Sequence, residues 1–221
     1  LKWMWDAPRL ELHRGHRDTY RRIHRRSLVT LRRFPALVKP ASINDIVQHQ
    51  QLLGDVALRA RLADKASMKS FVRELLGADA VAKTYALADH LGDVDFDALP
   101  SAFVVKATHD AGSTPIVRDK ANVDWKGLVT HFDHLLATPY GRTSAEIHYE
   151  RIPPRILVEE LLVTSDGALP PDVKCHCAYG EVILAATLTG RHGNPSSRTE
   201  CCRSRDGTLL PLRAHLAFGP C

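Results

Sequence analysis

The sequence predicts an α+β fold, because segments with helical periodicity alternate with short apolar runs that are typical of buried strands. The helical spacing of apolar residues is clearest at Lys65–Leu76 and after Asp119–Asp124. The strand pattern is clearest at Phe103–Val105 and Arg155–Leu162. A third pattern, Val173–Tyr179 followed by a glycine turn and a second apolar run, predicts a β-hairpin.

The 221 residues suffice for one large domain or two small ones. No apolar run reaches the ~18–20 residues that span a bilayer, and the first residues lack a signal-peptide pattern, so we expect a cytoplasmic location. The five cysteines include a C-x-C and a vicinal pair, which do not match the usual spacing of a zinc site. Cys175 and Cys177 are therefore predicted to be buried on one face of a strand as small hydrophobic residues.

Residues 1–40 are predicted to form a basic helical arm, with a partial apolar stripe through Tyr20, Ile23, Leu28, Leu31 and Phe34. The net charge of +5 is concentrated at Arg9–Arg33. This segment has two readings, a solvated helical face or a surface that attracts polyanions or anionic lipid. No aromatic residues interleave with its arginines as a stacking platform, so no specific nucleic acid partner is expected.

Capping residues, apolar runs and turn residues predict the elements in the rest of the chain. Ser42 is predicted to cap a helix that runs to about Leu53 and is closed by Gly54. Asp64-Lys65, at the start of the next helix, is a short charged pair whose simplest reading is surface chemistry. Val81–Leu87 is compatible with a strand, and Phe103–Val117 is predicted to form a hairpin. Arg191–Arg205 is predicted to be a loop, followed by a turn at Asp206-Gly207 and a short apolar run.

Lys106 lies at the end of a predicted buried strand, just before a loop of small residues. Lys106 could pair with a phosphate oxygen, and backbone N–H groups of Ala111, Gly112 and Ser113 could form a nest for a second one. The alternative is an ordinary polar hairpin that contains one glycine. The strand at Arg155–Leu162 carries adjacent carboxylates, and if they are buried at least one needs a cation, an N–H donor or water.

Five motifs occur in one order along the chain: Asp64-Lys65, Phe96–Ser113, Tyr140–Tyr149, Pro154–Leu162 and Leu169–Val182. As a set they resemble the TupA-like ATP-grasp family, which is linked to bacterial cell-surface polysaccharide synthesis. The resemblance covers roughly residues 43–212. It implies two α+β subdomains that hold ATP between their sheets, with residues 41–158 as the first part and 159–221 as the second part of an ATP-grasp-like region 41–221.

The resemblance also implies roles for matching residues. Lys106 would contact the phosphates, and His109, Gly112 and Ser113 would belong to the loop that covers them. The hinge would be formed by Glu159, Glu160, Leu161 and Leu162, whose main chain would read the adenine edge while a carboxylate holds a ribose hydroxyl. Lys174 would reach the phosphates from the second sheet. Lys65 is a further nucleotide-binding candidate.

The implied activity is that of an ATP-dependent carboxylate–amine ligase, which uses ATP and Mg²⁺ to form an acyl-phosphate. Its substrates would be a carboxylate and an amine of sugar or amino-acid type, and an anionic membrane surface or polysaccharide assembly proteins are further expected partners. The family's magnesium ligands lie on late strands, whereas after Glu200 the only acid is Asp206. We therefore expect a truncated second part and assign neither metal ligands nor catalytic residues. The alternatives are an inactive nucleotide-binding or scaffold protein, or a basic adaptor that binds polyanions.

Overall fold

The computed structural model describes residues 2–112, 114–138, 140–142, 145–178, 180–189, 199–204 and 206–210. The α-helices are α1 Lys2–Arg9, α2 Arg17–Leu31, α3 Ile43–Leu53, α4 Val56–Ala63, α5 Lys65–Leu76 and α6 Trp125–Ala137. The strands are β1 Thr84–Ala88, β2 Phe103–Ala107, β3 Ile116–Val117, β4 Ile156–Glu160, β5 Asp172–Ala178, β6 Glu181–Thr189, β7 Thr199–Ser204 and β8 Leu209–Leu210. Short 3-10 helices connect several of them, and the predicted α+β class is confirmed.

Two compact units divide the chain, Leu1–Leu161 and Leu162–Cys221. Each contains a four-stranded antiparallel sheet, with strand order β1-β4-β2-β3 in the first and β5-β6-β7-β8 in the second. The division into an arm of residues 1–40 and a region with a boundary at 158/159 stays a prediction. Within the described ranges, no helix is long and apolar enough to cross a membrane.

The first sheet has its core on one face of β2 and β4. Phe103 and Val105 on β2 alternate with residues of the opposite face, as do Ile156 and Val158 on β4, and all four are fully buried. Phe132 of α6 packs against them and is also fully buried. The predicted hairpin is confirmed, because β2 pairs with β3 in an antiparallel register.

The second face of this sheet is covered as well, which explains the nearly continuous burial of β4. Val104 and Leu157 lie on this face and are buried. Helix α5 approaches it, since Lys69 of α5 bonds to Glu159 of β4. A strand with both faces covered reads as an apolar run, which is the pattern that predicted it.

A second apolar cluster joins the N-terminal helices and consists of Leu10, Tyr20, Ile23, Leu37, Leu52 and Ala145. The predicted stripe on α2 is correct for Tyr20 and Ile23 but wrong for Leu28 and Phe34, which are 41% and 55% exposed. Helix α2 ends at Leu31, and its buried face continues through His24 and Ser27. The Ser27 hydroxyl donates to the Arg33 carbonyl at 2.8 Å, which ties the end of α2 to the segment that follows it.

The predicted cap of α3 is confirmed. Ser42 Oγ accepts from the Asp45 backbone N–H at 3.3 Å and donates to the Asp45 carboxylate at 2.8 Å. Gly54 closes the helix by donating its backbone N–H to Gln50 O. Helix α4, which the sequence reading did not anticipate, begins after Asp55, whose carboxylate accepts the N–H groups of Ala57 and Leu58.

The reading of Asp64 as surface chemistry is wrong, because this residue is 4% exposed and caps α5. Its carboxylate accepts from Ala66 N at 3.0 Å and from Ser67 Oγ at 2.6 Å. The strand expected at Val81–Leu87 begins three residues later, at Thr84. A buried helix cap and an exposed one have the same local sequence signature, so burial was not predictable here.

Two predictions for the second unit are wrong. Cys175 and Cys177 are exposed, because the described apolar cluster of this sheet is small and consists of Ala186 and Leu188 with Leu184 packed against it. Part of the loop predicted at Arg191–Arg205 is strand β7, which pairs with β6 from Thr189↔Thr199 to Leu184↔Ser204. A ladder satisfies backbone groups whatever the side chains are, so a polar segment can form a strand. Residues 190–198 and 205 lie outside the described residues, and the turn at Asp206-Gly207 is confirmed by a φ of 85° at Gly207.

Candidate functional site

The pairing of β2 with β4 brings together two residues that lie 53 positions apart. Val104 is opposite Glu159 and Lys106 is opposite Leu157, so Lys106 and Glu159 are diagonal neighbours on one face. Lys106 Nζ forms an ion pair with Glu159 Oε1. Glu159 is 7% exposed, whereas the Lys106 side chain is 27% exposed. The cation therefore keeps access to solvent while its carboxylate partner does not.

Lys69 is the residue at this site that the sequence analysis missed. It is 6% exposed, and its Nζ donates to Glu159 Oε2 at 2.7 Å and to the Ala82 carbonyl at 2.6 Å. The available signal was its position four residues after Lys65, one helical turn along α5. The expectation that at least one of the adjacent carboxylates has a cation, an N–H donor or water as partner is confirmed, since Glu159 binds two cations.

The ionisation of Glu159 follows from these contacts. Burial raises the pKa of the carboxyl, but the hydrogen bonds and charges of Lys106 and Lys69 outweigh this effect and hold the pKa below its ordinary value. Glu159 is therefore a carboxylate at neutral pH, placed between two ammonium groups.

Lys65 begins α5 and reaches the loop after β2. Its Nζ donates to the Ala107 carbonyl at 2.8 Å and to the Asp110 carbonyl. Burial holds the pKa of Lys65 below its ordinary value. The charge of Asp110 opposes this effect, and the nearby charge of Lys106 adds to it. The structure thus brings Lys65 and Lys106 to the same end of the first sheet, with Lys65 bound to backbone carbonyls of the loop.

Gly112 lies in the same loop with a φ of 136°, a conformation that residues with a Cβ rarely adopt. A Cβ placed on it would meet no heavy atom within 4 Å. Glycine is therefore required here by the backbone conformation, and the space beside it is open. Of the other predicted members of the nest, Ala111 lies in the same loop and Ser113 lies outside the described residues.

His109 is turned into the protein. It is 2% exposed, and its Nε2 lies 3.2 Å from the Leu135 carbonyl of α6. Its Nδ1 is buried without a hydrogen-bond partner among the described residues. The imidazole anchors the loop against α6, so a contact of His109 with phosphate would have to use its main chain.

The predicted hinge residues follow Glu159 at the end of β4. The backbone N–H of Glu160 donates to the Lys83 carbonyl at 2.9 Å, and Glu160 Oε2 accepts from the Lys83 N–H at 3.2 Å. Leu161 is the last residue of the first unit, and Leu162, which begins the second, is 51% exposed. Their role in reading adenine stays a prediction.

Lys174 belongs to the second unit, on β5 opposite Ala186. Its Nζ lies 3.0 Å from Asp172 Oδ2, and its side chain is about half exposed. Its role towards phosphates also stays a prediction. Over the described ranges, no group of three or more His, Cys, Asp or Glu side chains is arranged to hold a metal ion.

Comparison with known proteins gives one match. The model of the family described as TupA-like ATPgrasp matches residues 47–197, about two-thirds of the chain. The matched range includes α5, β2 and β4, and with them Lys65, Lys69, Lys106 and Glu159. No curated protein and no solved structure matches the chain.

Proposed function

The chain belongs to the TupA-like ATP-grasp family, and from this premise we propose that it binds Mg-ATP and activates a carboxylate substrate for attack by an amine. A carboxylate oxygen would attack the γ-phosphorus of ATP, releasing ADP and leaving an acyl-phosphate. The amine nitrogen would then attack the acyl carbon, forming an amide and releasing inorganic phosphate. The family relationship supports a place for this reaction in bacterial cell-surface polysaccharide synthesis.

The observation that carries the proposal is the position of Lys106 beside Glu159 on neighbouring strands. The ammonium group of Lys106 would exchange this carboxylate for a phosphate oxygen and act as a point charge. Lys69 would remain bound to Glu159, at 2.7 Å, so the exchange would leave no buried carboxylate without a cation. Phosphoryl transfer depends on such placement of charge more than on covalent participation by the protein.

The loop after β2 would supply backbone donors. Lys65 holds the carbonyl groups of Ala107 and Asp110, which fixes the start of this loop. The open space beside Gly112 would admit a phosphate close to the main chain, where N–H groups can cradle an anion. Ser113 is proposed as the next member of this nest.

The remaining roles rest on the family relationship. The main chain of Glu160, Leu161 and Leu162 would bind the adenine edge, a carboxylate of the Glu159-Glu160 pair would hold a ribose hydroxyl, and Lys174 would provide a second cation for the phosphates. Mg²⁺ in nucleotide sites commonly needs only one or two protein carboxylates, because phosphates and water supply its other ligands. We assign no magnesium ligand among the described residues.

Calorimetric titration with Mg-ATP tests the proposal, with Lys106→Ala/Lys174→Ala as the variant. Lys126→Ala is the matched control, since Lys126 is exposed on α6, which packs against the sheet face opposite Lys106. We expect wild type and control to bind with a Kd of roughly micromolar size and the variant to lose at least about tenfold in affinity, the cost of one charge-assisted contact or more.

The other outcomes distinguish the remaining functions. Binding without release of ADP, across carboxylate and amine substrates, would favour an inactive nucleotide-binding or scaffold protein. A chain that is folded by circular dichroism but binds no nucleotide would overturn the proposal. Binding of polyanions that falls steeply with salt and is indifferent to Lys106 would favour the basic adaptor.

A further inference from the structure

A cavity of about 560 Å³, open to solvent, lies where α4 meets α5 and the segment that precedes β4. Its lining residues are Ala57, Ala60, Arg61, Asp64, Ser67, Arg151, Ile152 and Pro153. They come from one face of α4, from the first turn of α5 and from residues 151–153. The volume falls in the range of roughly 300–1,000 Å³ that is typical of sites for small molecules.

The charge in the cavity wall is positive. Arg61 and Arg151 line it, and no carboxylate of the described residues lies within 4 Å of either guanidinium group. Glu150, next to Arg151 in sequence, pairs instead with Arg22 at 3.1 Å. Both arginines are exposed, and the Arg61 guanidinium lies over the Phe71 ring, with Cζ 5.6 Å from its centroid. Two arginines along one concave surface favour an anion, because their forked N–H donors match the oxygens of a carboxylate or a phosphate.

Asp64, the carboxylate among the described lining residues, is already engaged. Asp64 is 4% exposed, accepts from the Ala66 N–H and the Ser67 hydroxyl, and lies 3.7 Å from Arg155 Nη2. Its charge is therefore directed into the protein rather than towards a ligand. The Ser67 hydroxyl donates to Asp64 and keeps its oxygen as an acceptor for a ligand donor.

The rest of the wall is apolar and is formed by Ala57, Ala60, Ile152 and Pro153. The two alanines lie three positions apart on α4, and their small side chains leave the space open. This lining matches a ligand that combines an apolar body with an anionic group.

We propose that this cavity binds a small organic anion, with a carboxylate or phosphate group on Arg61 and Arg151 and an apolar body against Ala57, Ala60 and Ile152. The site is separate from the Lys106–Glu159 pair, although Asp64 of its wall is adjacent in sequence to Lys65. The inference does not rest on the proposed binding of ATP, and its test uses no nucleotide.

Three probes that share a phenyl ring provide the test: benzoate, phenyl phosphate and benzamide, the neutral isostere of benzoate, each titrated into the full 221-residue chain by NMR at constant ionic strength. We expect at least one anion to bind with a Kd of roughly millimolar size and benzamide to bind at least about tenfold more weakly. The stronger anion identifies the chemical class, carboxylate or phosphate. Equal binding of all three probes, or binding of none, would overturn the proposal.

Two variants locate the bound anion. Arg61→Gln/Arg151→Gln removes both charges and should weaken binding at least about tenfold, whereas Arg73→Gln, an exposed arginine of α5 outside the cavity, should leave it unchanged. Ala57→Leu keeps both arginines but fills the cavity and should weaken binding as well. Melting curves establish that each variant is folded. Binding that survives both cavity variants, or that Arg73→Gln abolishes equally, would show nonspecific attraction to a basic surface and refute the site.

Discussion

Lys69 of α5 and Glu159 of β4 form a buried ion pair, with 2.7 Å between Nζ and Oε2 and less than one-tenth of either side chain exposed. Removing two charges from water is costly unless every group is satisfied. Here Lys69 also binds the Ala82 carbonyl, and Glu159 also binds Lys106. The pair therefore joins the helix that begins at Lys65 to the strand that carries the candidate site.

Replacing Lys69 with methionine should destabilise the fold by about 3 kcal/mol, because the substitution leaves one oxygen of the buried Glu159 carboxylate without its cation. Urea unfolding followed by circular dichroism measures this change. Lys126→Met, at an exposed position of α6, should change the free energy of unfolding by less than about 0.5 kcal/mol. The double variant Lys69→Met/Glu159→Gln should recover part of the loss. Additive effects would show that the two residues do not interact.

The stability that Glu159 contributes should disappear in acid. Its pKa is lowered in the folded protein, so the unfolded state binds the proton more readily and acidification favours unfolding. The contribution is fully present above the ordinary pKa of 4.5 and is lost as the pH falls through the lower, folded value. The difference in unfolding free energy between wild type and Glu159→Gln should therefore narrow between pH 6 and pH 3.

The control for this pH series is Glu74→Gln, an exposed substitution on α5. Its unfolding free energy should follow the wild type at each pH. A gap between wild type and Glu159→Gln that stays constant down to pH 3 would contradict the assigned ion pair.

The N-terminal helices are joined by a hydrogen bond from the Tyr20 hydroxyl to Asp6 Oδ2, 2.6 Å long and buried. Burial and this carboxylate raise the pKa of Tyr20, so the phenol stays a donor at neutral pH. Tyr20→Phe should cost about 1–3 kcal/mol, since it leaves a buried carboxylate with one partner fewer. Thermal unfolding measures this loss, with Tyr85→Phe as the control. The Tyr85 hydroxyl has no hydrogen bond among the described residues. Equal effects would mean that the bond adds nothing to stability.

Gly112 and Gly15 both have room for a Cβ, so substituting each one distinguishes the effect of backbone conformation from that of steric crowding. Nothing lies within 4 Å of a Cβ placed on Gly112 or Gly15, but only Gly112 has a positive φ. Gly112→Ala should therefore lower the free energy of unfolding by about 1 kcal/mol, whereas Gly15→Ala should be neutral or slightly stabilising. Denaturant titration measures both. A loss at Gly15 as large as that at Gly112 would show that backbone conformation is not the cause.

Local signals predicted most of the first unit. Ser42 and Gly54 mark the ends of α3 through hydrogen bonds to residues three or four positions away, and such short-range chemistry can be read along the chain. Helix α4 was missed because its eight residues carry arginines among the apolar positions and follow α3 after a short gap. Strand β7 was missed because its pairing with β6, rather than its polar composition, makes it a strand.

In the candidate site too, some residues were predictable from local sequence and others depend on tertiary contacts. Lys65, Lys106, Gly112 and Glu159 were predicted from ordered motifs, and the need for a cation, an N–H donor or water beside the two carboxylates followed from the cost of burying charge. Lys69 lies 90 residues before Glu159, so no spacing along the chain connects the two. Likewise, Asp64 has the signature of any helix cap, and only the packing around it buries the carboxylate.

Periodicity, caps and apolar runs were therefore enough for the class of fold and for the elements that carry the site, because these features depend on neighbours within one turn or one strand. The identity of the partners was decided by the register of β2 on β4 and by the packing of α5 over that face. Burial and charge pairing are properties of groups that meet only after the chain has folded, so the Lys69–Glu159–Lys106 cluster and the arginine-lined cavity became visible only in three dimensions.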